Sequence, residues 1–167
     1  MSNRAVEELE QWATVMGDQQ INDFALLLKA GTPGVVTDLT PEEAEAVAEL
    51  HERIQPEIRK CYQNAQRALL RCDVDCDSTH DVRYWEGYYS RYDLPAFAHA
   101  WLTINGKVVD LTHPNEKIDY FGVEIDWELV REYMLETETH GPLLQDFALG
   151  FKYTRAILAP DSAGAGC

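Results

Sequence analysis

Asn105-Gly106 constrains the fold of this chain more than any other pair of residues. A two-residue turn with positive φ at both positions matches the right-handed twist of paired strands, so an Asn-Gly step between apolar, β-prone runs predicts a hairpin. Counting outward through HAWLTINGKVVDLT fixes its register: Ile104 faces Lys107, Thr103 faces Val108, Leu102 faces Val109 and Trp101 faces Asp110. Asp110 then lies diagonal to His99 on the same face of the sheet. A carboxylate so placed holds one tautomer of an imidazole and stabilises the ring once it has taken a proton. Cys61 lies upstream, so the chain carries Cys61, His99 and Asp110 in that order.

The length of 167 residues suits one domain, expected over residues 1–160, with residues 161–167 as a flexible tail. A hydrophobic fraction of 46% supports a real core, but 29 acidic residues against 14 basic ones leave a net charge of −15. That charge repels phosphate backbones and anionic lipid surfaces, and no basic stripe offsets it, so neither nucleic acid nor membrane is an expected partner. A neutral or basic substrate suits the field better. The start MSNRAVEELEQW lacks a charged segment followed by an apolar one, and no apolar run approaches a membrane span, so a cytoplasmic location is expected. The cysteines at 61, 72, 76 and 167 are then expected as free thiols, with no role assigned to Cys167.

Helical periodicity marks VEELEQWATVM, INDFALLLKAG closing at Gly31, and a segment opened by Thr40-Pro41-Glu42-Glu43 that runs to about Ile54. Thr40 and Glu43 have the spacing of a capping box, with Pro41 at the first helical position. CYQNAQRALLRC places Tyr62, Ala65, Leu69 and Cys72 on one stripe, predicting an amphipathic helix with Cys61 near its start. RYWEGYYS and YFGVEI read as strands, LTHPNEKIDY as a loop, and Asp126 as the cap of a helix WELVREYMLE. PLLQDF is expected as a short helix and GFKYTRAIL as a final strand. The pattern predicts an α+β fold, with N-terminal helices packed on an antiparallel sheet.

A thiol becomes a good nucleophile where a helix N-terminus and an imidazolium stabilise its thiolate, and Cys61 is placed for both. Backbone amides at the same helix end are candidates for an oxyanion hole. If the helix instead starts at Pro56, the Cys61 amide is committed to an intrahelical bond, and Gln55 or Asn64 becomes the candidate side-chain donor. Strand alternation puts Glu86 with Tyr84 and Tyr88 on one face, either assisting the site, or pointing to solvent on an edge strand, or paired with Arg83 or Arg91. Trp101, beside His99, completes the candidate substrate-binding set and is expected to contribute to packing. Cys72, Cys76 and His80 form a weak metal pattern without a fourth ligand nearby, and DVDCDSTHD lacks the glycine turn of an EF-hand, so no metal or cofactor is expected.

Taken together, the helix-borne CYQNA, the aromatic RYWEGYY, HAWLTINGKVVDLT and YFGVEI resemble the core of transglutaminase-like and papain-like proteins, over roughly residues 55 to 126. The likeness is to small bacterial and phage proteins with a similar strand and hairpin. It lacks the tryptophan beside the transglutaminase cysteine and the glycine- and serine-rich cysteine loop of papain. The resemblance implies Cys61 as nucleophile, His99 as general base and acid, and Asp110 as its orienter. It also implies Gln55 at the spacing of an oxyanion glutamine. The expected activity is cysteine-dependent acyl transfer on a protein or a small amide or ester: water gives a peptidase, amidase or deamidase, and an amine gives a transglutaminase. The alternative is a non-catalytic acidic protein-binding module on the same scaffold.

Overall fold

The computed structural model describes residues 3–16, 23–74, 80–91, 94–114 and 118–159. In chain order they form α1 (Arg4–Met16), α2 (Asp23–Ala30), β1 (Thr32–Pro33), α3 (Pro41–Ile54), α4 (Cys61–Val74), β2 (Val82–Arg91), β3 (Leu94–Ile104), β4 (Lys107–Val109), β5 (Asp119–Ile125), α5 (Trp127–Thr137) and α6 (Lys152–Leu158). The architecture is α+β. Among the described residues, no helix is long and apolar enough to cross a membrane.

Local chemistry sets the boundaries. Thr40 accepts the Glu43 amide while the Glu43 carboxylate accepts the Thr40 amide, which closes the capping box at the start of α3. The same carboxylate binds Lys107 Nζ at 2.7 Å and Asn105 Nδ2 at 3.0 Å, tying α3 to the hairpin. Asn105 and Gly106 take positive φ of 51° and 80°, and the strand register is Leu102 with Val109, Thr103 with Val108 and Ile104 with Lys107, as the Asn-Gly step requires. Asp126 caps α5 through the Glu128 amide.

The sheet runs β1-β5-β2-β3-β4, every neighbouring pair antiparallel. β1 was not expected from the sequence. Its continuation Gly34-Val35 bonds β5 on one side and the edge strand β4 on the other: the Gly34 amide donates to the Tyr120 carbonyl of β5, and the Val108 amide of β4 donates to the Val35 carbonyl. This segment closes the sheet upon itself. The two faces differ sharply. One packs Tyr84, Ala100, Leu102, Phe121, Val123 and Ile125 against Ala65, Ala68 and Leu69 of α4 and the other helices. The other holds a smaller aromatic core of Trp101, Ile118 and Tyr120 with Trp85, Tyr89 and Val108.

The C-terminal part departs from the sequence reading. PLLQDF is a turn that leads into a short 3-10 helix at Phe147–Leu149, and GFKYTRAIL contains α6 in place of a strand. Its aromatic and β-branched residues favour strands in isolation. Here the Asp146 carboxylate accepts the Tyr153 and Thr154 amides and the Thr154 hydroxyl, holding a helical first turn that buries Tyr153, Thr154 and Leu158.

Candidate active site

The site is assembled from three elements: the first residue of α4, the middle of β3 and the residue after β4. α4 begins at Cys61, not at Pro56. Its first intrahelical bond runs from the Asn64 amide to the Lys60 carbonyl at 2.8 Å, so the amides of Cys61, Tyr62 and Gln63 precede the ladder. The turn that presents Cys61 is tightly made, with Gln55 and Arg59 in left-handed conformations at φ of 49° and 68°.

His99 lies on the same sheet face as Trp101, while the body of α4 covers the opposite face. Along β3, β4 reaches Leu102–Ile104 and no further, so β3 at His99 has its described strand partner on the β2 side, where it faces Gly87. Past that uncovered stretch of β3, the Cys61 thiol lies close enough to the His99 ring to favour its charged form. Nε2 is held by Asp110 Oδ2 at 2.7 Å, which leaves Nδ1 as the other ring nitrogen available for a proton.

Asp110 is almost wholly enclosed, its side chain 4% exposed and that of His99 2% exposed. Its Oδ2 also accepts the Tyr120 hydroxyl at 2.9 Å, and its Oδ1 accepts the amides of Thr112 at 2.8 Å and His113 at 3.1 Å. Burial works against the carboxylate, but the hydrogen bonds from His99, Thr112 and Tyr120 outweigh it and hold Asp110 below the usual aspartate range. Burial likewise works against a charged His99, yet Asp110 and Cys61 raise it from 6.5 to about 9. Both neighbours therefore favour the protonated ring. Tyr89 stands edge-on to it at 4.6 Å between centroids, and His113 lies 5.4 Å away.

The remaining candidates separate by what they touch. Asn64 is buried, and its amide is fully used: Oδ1 accepts the Glu57 amide, and Nδ2 donates to the Glu57 carbonyl at 2.8 Å and Thr112 Oγ1 at 3.0 Å. No hydrogen is left on it for an oxyanion. Gln55 is the exposed C-cap of α3, its amide bonded to the His51 carbonyl. Trp101 is 1% exposed, inside the aromatic core, stacked at 6.4 Å from His99; it packs and does not line an accessible surface.

Glu86 lies on the helix-covered face of a central strand and pairs with neither Arg83 nor Arg91. It accepts the Tyr84 hydroxyl at 2.6 Å and the amides of Leu143 and Leu144, pinning the segment after α5 to the sheet. Burial, opposed by those hydrogen bonds, pushes its carboxyl up to about 7. It also lines a small cavity with Tyr62, Tyr88, Ala98 and Gln145. Of the metal pattern, Cys76 lies outside the described residues.

Sequence reasoning missed Tyr120 and Thr112. Tyr120 was legible only as a strand residue, and Thr112 gives no signal beyond following Asp110 by two positions. Comparisons of the chain with models of known protein families, with curated proteins and with solved structures find no significant match.

Proposed function

We propose that the protein is a cysteine-dependent acyl-transfer enzyme, related by the resemblance above to the transglutaminase-like and papain-like superfamily. The observation that carries this reading is the buried His99–Asp110 hydrogen bond, with the Cys61 thiol at the start of α4 beside the same ring. A protonated His99 beside the Cys61 sulfur favours the thiolate, the form that attacks. The sulfur adds to an amide or ester carbonyl, and the first-turn amides of α4, which precede the helical ladder, are the candidate donors to the negative charge that builds on oxygen. As the tetrahedral intermediate collapses, His99 Nδ1 gives its proton to the departing amine or alcohol, leaving a thioester on Cys61. The now neutral ring takes a proton from water or an amine, which attacks the thioester and frees the thiol. Asp110 holds the ring in place through both proton transfers without itself being protonated.

A substrate that is neutral or basic fits the net charge of −15, whether protein or small amide or ester. A nucleophilic thiol of this kind fits the reducing cytoplasm. The test is brief labelling of the intact protein with iodoacetamide near neutral pH, followed by peptide mapping. The reading expects Cys61 to be alkylated ahead of Cys72, Cys76 and Cys167. Equal or slower labelling at Cys61 favours a non-catalytic binding module instead.

A further inference from the structure

The reacting groups sit on separate elements, and most of what joins those elements has no direction. α4 meets β3 through Ala65, Ala68 and Leu69 against Ala100 and Leu102. Apolar contacts of this kind favour proximity but allow one element to slide on another. A thiol and an imidazole that exchange a proton need tighter control, within about 0.5 Å. Directional bonds must supply it.

Among the described residues one set of such bonds runs from the nucleophile helix to the Asp110 loop. Asn64 lies one turn after Cys61 and is 1% exposed. On one side it binds both the amide and the carbonyl of Glu57, which fixes the turn leading into Cys61. On the other it donates to Thr112 Oγ1 at 3.0 Å, and the Thr112 amide donates to Asp110 Oδ1 at 2.8 Å. Asp110 then holds His99, and His99 meets Cys61. The bonds run from the first turn of α4 through the Asp110 loop to the ring beside Cys61. Gln66, further along the same helix, is also buried and bonded, but to Tyr84 and the Gly141 carbonyl, away from the Asp110 loop.

We infer that Asn64 and Thr112 are positioning residues: through the Asn64–Thr112 hydrogen bond they set the spacing between Cys61 and the His99–Asp110 pair. This rests on the acyl-transfer reading. It assigns to Asn64 a role in aligning the nucleophile in place of one in binding the oxyanion. Thr112 is the better position to test, because it is partly exposed and its hydroxyl can be removed without disturbing the Asn64–Glu57 bonds.

The experiment compares wild type, Thr112→Val, Thr112→Ser and His99→Ala by the rate of Cys61 alkylation with iodoacetamide across the pH range, alongside their melting temperatures. Thr112→Val should slow alkylation at neutral pH by about tenfold and move the pH profile, because a small misplacement of reacting groups costs rate steeply. Thr112→Ser, which keeps the hydroxyl, should restore both. A purely structural role would lower the melting temperature of Thr112→Val and leave the profile where it was, which overturns the inference. Should Thr112→Val prove too unstable to assay, Thr112→Ala carries the same comparison without the added methyl. The two readings fail differently: a wild-type rate indifferent to His99→Ala removes the acyl-transfer reading and this inference with it. A His99-dependent rate that Thr112→Val leaves unchanged removes the inference alone.

Discussion

Asp110 accepts from four donors, two of them backbone amides, so its position is fixed before His99 is considered. That order of construction makes the pair sensitive to pH in a definite way. The folded protein raises His99 from 6.5 to about 9, so its contribution to stability is complete below 6.5 and is lost as pH rises through about 9. Asp110 is lowered from 3.8, so its contribution is present above 3.8 and is lost as pH falls through its folded value. The two describe one interaction, which is strongest in the window between. Asp110→Asn should therefore be less stable than wild type by about 3–5 kcal/mol near pH 6. Urea denaturation across pH should show the gap narrowing in both acid and alkali; a gap that stays constant would mean that the hydrogen bond to His99 contributes no charge.

At the scale of elements, what was legible in the sequence was what is decided locally. The Asn-Gly turn, the Thr40–Glu43 box and the Asp126 cap each bring their own partners within four residues, and the hairpin register followed by counting. α6 was not legible because Asp146, which caps it, stands in the preceding turn and acts across a chain reversal. The pairing of Gly87 with Gly122 was not foreseen either. A Cβ at Gly122 would stand 2.6 Å from the Trp101 ring and closer still to the Glu86 carbonyl oxygen, so the glycine lets Trp101 lie across the neighbouring strands. Gly122→Ala should cost about 1–3 kcal/mol by overpacking a core that cannot yield, and thermal melting measures it. An unchanged melting temperature would show that Trp101 can move aside.

Across the whole molecule, closure of the sheet by residues 32–35 gives one face to the helices and the other to an aromatic core, and the site stands at the stretch of β3 that β4 leaves open. Cys61, His99 and Asp110 were legible as candidates because their residue types and order carry chemistry. Asn64 was legible only as a candidate oxyanion donor and Thr112 not at all, since a buried amide bridging residues 57 and 112 is a product of tertiary structure. The central claim is that Cys61 and His99 act together on an acyl group. The most direct measurement is the pre-steady-state reaction of the intact protein with p-nitrophenyl acetate, with the acetylated residue identified by peptide mapping. The account predicts a burst of about one p-nitrophenolate per chain with the acetyl group on Cys61, absent in Cys61→Ser and slowed about 100-fold or more in His99→Ala. Acetylation elsewhere in the chain, or a burst rate that His99→Ala leaves unchanged, would contradict it.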